Sequence, residues 1–262
     1  MSANATSTTS PVTTTASGST KRLGLVIDVG RCIGCWTCCV GCKSLNDEPI
    51  GIWWNKVLQV SSNIDSASGT YPNLEHNFVT LSCQHCKNPP CLDVCPVGAT
   101  YKRESDGVVL VDFDRCIGCR YCMTACPYGV RSFNWEVPDQ TPSAFPLGWQ
   151  QDHIDPDPTS GKNRRVYMPK RPKGVVEKCT FCVQRIDSGL VPICVEVCPA
   201  RARIFGDLND PNSEVSQMIT GSAAYNLLPE LGTEPSVFYI PPKKTFNTSI
   251  EQTGEYSVSE AT

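Results

Sequence analysis

The chain has 262 residues, enough for one or two domains, with 19% charged residues and a formal charge of −3. That balance gives no electrostatic footprint for nucleic acid, and no window approaches the ~20 consecutive apolar residues of a membrane span. Seventeen cysteines beside three histidines are the unusual feature; their crowding into C-x-x-C sets is poor geometry for many simultaneous disulfides, which also belong to much shorter chains.

Residues 1–20, "MSANATSTTSPVTTTASGST", form a Ser/Thr-rich tail. It has too little apolar surface to fold alone, and it lacks the basic start and apolar core of a secretory signal. "LGLVIDVGRC" reads as a short apolar strand running into the first cysteine set, Cys32, Cys35, Cys38, Cys39 and Cys42, with a helix from Trp36 to Leu45. The second set, "CQHCKNPPCLDVCP", holds Cys83, Cys86, Cys91 and Cys95. "TYKRESDGVVLVDFDRC" then reads as a hairpin, Thr100 to Arg103 and Val108 to Val111 around a turn at Asp106-Gly107. It leads into the third set, "CIGCRYCMTACP", with Cys116, Cys119, Cys122 and Cys126 and a helix from Tyr121 to Ala125.

Residues 134–164 are rich in Pro, Asp and Gly and read as a long loop, with Phe145 and Trp149 to pack on a neighbour. The fourth set, "CTFCVQRIDSGLVPICVEVCP", holds Cys179, Cys182, Cys194 and Cys198, with a helix from Ile193 to Val197. Beyond it, "NSEVSQMI" and "AAYNLLPEL" read as short helices, and residues 241–262 as a polar extension.

Laying "RCIGCWTCCVGC" from Arg31 over "RCIGCRYCMTAC" from Arg115 sorts the first set. Cys32, Cys35, Cys38 and Cys42 fall on Cys116, Cys119, Cys122 and Cys126, and Cys39 falls on Met123. Cys39 is therefore expected to be a small core side chain; a frame using it in place of Cys38 has no counterpart in the chain.

Thiolates suit zinc or iron–sulfur centres. Structural zinc takes two separated ligand pairs, whereas here three thiolates fall within seven residues, twice over. Such a loop offers one sulfur to each of three irons of a cubane. C-x2-C-x2-C-x3-C-P is the bacterial ferredoxin run, whose fourth cysteine serves the other cluster. The third set matches in full, and the first matches except that Lys43 stands where proline would. The second and fourth lengthen one gap and keep C-x3-C-P.

Exchange of fourth ligands sets the pairing. The second and third sets, joined by the hairpin, give site c (Cys83, Cys86, Cys91, Cys126) and site d (Cys95, Cys116, Cys119, Cys122). The first and fourth give site a (Cys32, Cys35, Cys38, Cys198) and site b (Cys42, Cys179, Cys182, Cys194). Four [4Fe–4S] clusters are expected. The expected fold is α+β, with two bacterial-ferredoxin-like modules, one inserted within the other, plus long loops and short added helices. Residues 21–75 and 165–240 form the split module, 76–133 the inserted one.

Between the ligands, His85 is expected to be a hydrogen-bonding or surface residue, while Gly34 and Gly118 permit tight loops whose N–H groups approach sulfur. An oxidised site carries about −2, so Lys43, Lys87, Arg120, Lys178 and Arg185 are candidates for tuning potential. Trp36, Tyr121 and Phe181 are expected to shield the clusters from water.

"CIGCWTCCVGCK", "CQHCKNPPCLDVCP", "CIGCRYCMTACPYGVR" and "EKCTFCVQRIDSGLVPICVEVCPARARIFGDL" resemble the four-cluster electron-transfer subunits of the dimethyl sulfoxide reductase family of molybdopterin oxidoreductases, over about residues 21–240. "LLPELGTEPSVFYI" is similar to the subunits of thiosulfate, polysulfide, tetrathionate and arsenate reductases. The resemblance implies a wire without catalytic residues of its own. It would run between a molybdopterin-containing catalytic subunit and a membrane-anchor subunit that exchanges electrons with quinol or quinone. It also implies a peripheral complex, on the outer face after partner-assisted folded export, with the cytoplasmic face as the alternative. The competing readings are the wire of a formate dehydrogenase or hydrogenase complex and a zinc-built structural protein.

Overall fold

The computed structural model describes residues 21–60, 67–71, 73–136, 151–157 and 160–242. The tail at 1–20, Phe145 and Trp149, and all but the first two residues of the 241–262 extension lie outside them.

The apolar run Leu23–Asp28 forms β1, and its four central residues are buried. A strand covered on both faces belongs inside a sheet, and β1 is the middle of three. It then leads to α1 (Thr37–Asn46), the β2–β5 pair (Lys56–Val60 and Asn77–Leu81) with the small β3–β4 pair (Ser68–Thr70 and Asn73–Glu75) at its end, and α2 (Pro90–Asp93). The hairpin β6–β7 (Thr100–Lys102 and Val109–Val111), α3 (Tyr121–Ala125), β8 (Ser132–Phe133), β9 (His153–Pro156), β10 (Asn163–Tyr167) and β11 (Val176–Glu177) follow. The last part holds α4 (Val183–Ile186), α5 (Ile193–Glu196), β12 (Arg203–Asp207), α6 (Glu214–Thr220) and β13 (Val237–Ile240).

Strands far apart in sequence close the first sheet. β12 pairs antiparallel to β1, with Leu25 opposite Phe205, and β13 pairs parallel to it, with Ile27 opposite Tyr239. The main core combines Leu25, Ile27, Tyr101, Leu110, Val166 and Tyr239, so one apolar interior joins this sheet to the β6–β7 hairpin and β10.

The expected hairpin is present. Thr100 lies opposite Val111 and Lys102 opposite Val109, and Asp106 Oδ1 accepts the Val108 N–H at 3.1 Å while Gly107 turns the chain at φ 75°. α1, α3 and α5 lie where the sequence puts them, and Ser213 caps α6 by accepting the Ser216 N–H at 3.3 Å. Two expectations change. "AAYNLLPEL" is not a helix: Tyr225 exchanges both backbone hydrogen bonds with Tyr239, Leu228 is left-handed, and only a 3-10 turn forms at Pro229–Leu231. The stretch read as a loop carries β9, which pairs with β10 through Ile154 and Arg165.

One polar knot lies in the core. Arg171 and Glu177 are buried, with Nε 2.9 Å from Oε2. Arg171 also donates to the Asn46 carbonyl at 2.6 Å and the Asp47 carbonyl at 2.8 Å, satisfying the C-terminal end of α1. Trp54 Nε1 donates to Glu177 at 3.2 Å.

Candidate metal centres

The four C-x-x-C loops share a backbone device. The residue before the second cysteine is left-handed in each: Gly34 at φ 68°, His85 at 43°, Gly118 at 68° and Phe181 at 55°. This turn curls each loop so that its two thiols face one side. Glycine adopts it freely; a side chain there costs about 1–2 kcal/mol. The two costly positions support each other, since the buried His85 ring stacks on the Phe181 ring at 3.6 Å between centroids. Val109 N–H donates to His85 Nδ1 at 3.1 Å, so His85 is a buried hydrogen-bonding residue.

The glycine positions also lie in close contacts. A Cβ on Gly118 would sit 2.0 Å from the Gly174 carbonyl oxygen, and one on Gly34 would sit 2.7 Å from the Phe78 ring. Gly118→Ala is therefore expected to lower the urea midpoint more than Gly34→Ala. Both carry the left-handed penalty of about 1–2 kcal/mol, but a half-buried ring can swing and a backbone carbonyl cannot. Equal midpoints for the two variants would contradict this.

Three cavities collect the thiols. Cys32, Cys35, Cys38 and Cys198 line one. Cys83, Cys86, Cys91 and Cys126 line a second, and Cys95, Cys116, Cys119 and Cys122 a third. In the remaining quartet Cys42 and Cys182 are buried and Cys179 and Cys194 half-buried. Burial pushes the Cys42 and Cys182 thiols well up, and each is raised further by Cys179 and Cys194. Cys42 packs with Ile52 and Trp54, and Cys182 with Leu45 and Ile193.

Each of α1, α2, α3 and α5 thus serves two quartets. Cys38 and Cys42 on α1 go to different groups, as do Cys91 and Cys95 on and after α2, Cys122 and Cys126 on and after α3, and Cys194 and Cys198 on and after α5. Four residues advance about 6 Å along a helix axis while staying near one face, so one helix edge reaches two neighbouring sites. Cys39 is buried against Val57, with Sγ 4.0 Å from Cys38 Sγ, and is not among the residues lining the Cys32 cavity.

The donor set fits a bulky cluster of positive charge. Three of the quartets surround cavities, and among the described residues no three His, Cys, Asp or Glu side chains close on a single-ion position. Burial pushes Cys86 and Cys179 up to about 12, with neighbouring thiols adding to the effect. Metal ligation needs thiolates, so such groups call for cationic charge between them. Donors are arranged for anionic sulfur: Ala99 N–H lies 3.2 Å from Cys95, Ala202 N–H 3.3 Å from Cys198, and Asn46 Nδ2 3.4 Å from Cys42. At Cys95, burial raises the thiol, but the N–H groups of Thr100, Val97, Ala99 and Gly98 outweigh it and bring the pKa down.

The cations expected to act on these sites have varied surroundings. Lys43 Nζ donates to the carbonyls of Glu48, Pro49 and Ile52 and lies over Trp53. Arg120 lies over Phe133 and Trp135, and Lys87 pairs with Glu234 at 2.7 Å. Arg185 pairs with Glu196. Lys178 is buried, its Nζ donating to the carbonyls of Val109 and Cys179. Of the three aromatics, Phe181 is buried, whereas Trp36 is 46% and Tyr121 58% exposed, beside the exposed Cys35 and Cys119. Two cations escaped the sequence reading, Arg131 and Arg203. Both are buried and line cavities, and their signal was available as an arginine five residues after the last cysteine in "CPYGVR" and "CPARAR".

A 4Fe–4S dicluster domain model matches residues 74–141 and 164–208. The chain is 48% identical over 224 residues to a Halobacterium salinarum protein assigned as the iron–sulfur subunit of a dimethyl sulfoxide reductase, covering 83% of this chain and 78% of that one. It is 41% identical over 238 residues to the iron–sulfur subunit of the arsenate respiratory reductase of Shewanella sp. (84% and 96% covered). It is 37% identical over 231 residues to a subunit of the tetrathionate reductase of Salmonella typhimurium (87% and 76% covered).

Proposed function

Because the chain belongs to the iron–sulfur subunits of the dimethyl sulfoxide reductase family of molybdopterin oxidoreductases, we propose that it is the wire of such a complex and holds four [4Fe–4S] clusters at sites a to d. The observation that carries this reading is the sorting of sixteen cysteines into four quartets, three of them around cavities. Bound there, the clusters supply one-electron transfer at potentials that the protein sets.

The packing of the loops supports one order of the sites. Sites a and b share α1 and α5, and sites c and d share α2 and α3. Cys179 of site b feels the charge of Cys83 of site c, and the His85–Phe181 stack packs the loops of these two sites together. The line is therefore a–b–c–d, with b and c in the interior. At the ends, exposed Cys35 of site a is flanked by exposed Ile33 and Trp36, and exposed Cys119 of site d by exposed Ile117 and Tyr121. These two patches are where the chain would meet its partners, a molybdopterin-containing catalytic subunit and a membrane-anchor subunit. The inserted-module arrangement agrees with β1 pairing to β12 across the whole second and third sets.

Among the described residues no helix is long and apolar enough to cross a membrane. The outer, extracytoplasmic face of the membrane is the expected location, with the cytoplasmic face as the alternative, and protein recovered only from the cytosolic fraction would count against it. The test of the function is purification of the chain with its native partners. A co-purifying molybdenum-containing large subunit and an integral membrane subunit are expected. A partner carrying nickel in place of molybdenum, or no partner at all, would contradict the proposal.

A further inference from the structure

The inference here rests on the four-cluster reading and concerns Arg131 and Arg203. They are 5% and 3% exposed. Burying a guanidinium without a counter-charge costs several kcal/mol, and the other deeply buried arginine, Arg171, meets that cost with Glu177. Arg131 and Arg203 have no carboxylate at ion-pair distance among the described residues. Arg131 donates to Cys91 Sγ at 2.9 Å and to Thr100 Oγ1 at 3.2 Å. Arg203 donates to Asn55 Oδ1 at 2.8 Å, while its Nε and Nη1 have no hydrogen-bond partner.

Their anionic surroundings are cysteines, drawn in each case from two sites. Arg131 lines the cavity of site c and donates to Cys91, which packs with Cys122 of site d. Arg203 lines the cavity of site a beside Cys38, against which Cys194 of site b packs. The two residues occupy equivalent positions, five after the last cysteine of the third and fourth sets, so the internal repeat carries the same device twice.

We propose that Arg131 and Arg203 are positioning residues for electrons: each is a fixed counter-charge shared by two adjacent clusters, Arg131 by c and d and Arg203 by a and b. An electron arriving at either cluster of a pair adds one negative charge and no proton, beside a cation that water does not screen. The shared cation therefore raises both potentials of its pair. Arginine suits the role because it stays charged when buried, which a lysine need not.

The experiment is an EPR-monitored redox titration of the full chain in its native complex, for the parent, Arg131→Gln and Arg203→Gln. Four clusters by iron and sulfide content in the parent test the four-cluster reading separately. Arg131→Gln is expected to lower two of the four midpoints and leave two in place, and Arg203→Gln to lower the other two. A tenfold fall in the reduced fraction at fixed potential, ~59 mV for a one-electron couple, is the size to look for. Unmoved midpoints in either variant, or the same pair moved by both, would overturn the proposal. If a Gln variant assembles with less iron than the parent, the Lys variant at that position decides. Parent iron content with midpoints near the parent's supports a charge role. Lost iron, or midpoints that stay lowered at a pH low enough to protonate the lysine, overturns it.

Discussion

Serine in place of Cys42 is expected to remove one cluster, the same one removed by serine in place of Cys182, a residue 140 positions away in the fourth set. The reason is the helix that Cys42 shares with Cys38. On α1 the two thiols stand one turn apart, Cys38 lining the cavity with Cys32, Cys35 and Cys198, and Cys42 buried among Cys179, Cys182 and Cys194. A serine hydroxyl at position 42 is a harder, weaker ligand for iron. It also lies in an apolar setting of Ile52 and Trp54, where a poorly paired hydroxyl costs about 1–3 kcal/mol. The expected loss is about a quarter of the iron. Cys38→Ser and Cys198→Ser should together delete a different EPR signal. If Cys42→Ser and Cys38→Ser delete the same signal, the exchange of fourth ligands is wrong.

Arg171→Ala produces the largest expected loss of stability among single substitutions outside the ligands. It leaves Glu177 buried without its partner, a change that costs about 3–5 kcal/mol when one member of a buried pair is removed. It also strips the donors from the Asn46 and Asp47 carbonyls at the end of α1, the helix that carries Cys38 and Cys42. The consequence should reach the metal sites through α1. Loss of visible absorption is expected at markedly lower urea than in the parent, with sites a and b failing first. Glu177→Gln, which keeps an acceptor for Trp54 Nε1, should cost less. An Arg171→Ala protein with the parent's urea midpoint would show that the pair contributes little.

What the sequence revealed and what it hid have physical causes. The cysteine spacings and the overlay of Arg31 on Arg115 pointed to the quartets because loop–helix units of this kind are short, and their ligands lie within one turn of each other. The β6–β7 hairpin was legible from Asp106-Gly107 between two apolar runs. α2 and α4 were not read from the sequence. β9 and β10 were hidden because their residues are mostly polar, "HIDP" and "NRRVY". "AAYNLLPEL" has helix formers, yet the bridge between Tyr225 and Tyr239 uses its backbone in an extended form, and tertiary pairing prevails over propensity. Arg131 and Arg203 were passed over because a charged residue in a sequence is ordinarily read as solvated, and only the packing reveals that these are not. Lys43 and Arg185 drew attention by adjacency to ligands, but their charges are engaged by loop carbonyls and by Glu196.

The measurement that bears most directly on the four-cluster wire is iron, acid-labile sulfide and zinc determined on the intact protein, with quantitative EPR after dithionite reduction. The expected result is a brown protein with about sixteen irons and as many sulfides per chain, in four cubane signals. A colourless protein whose bound metal is zinc, or one holding well under four cubanes, would contradict it.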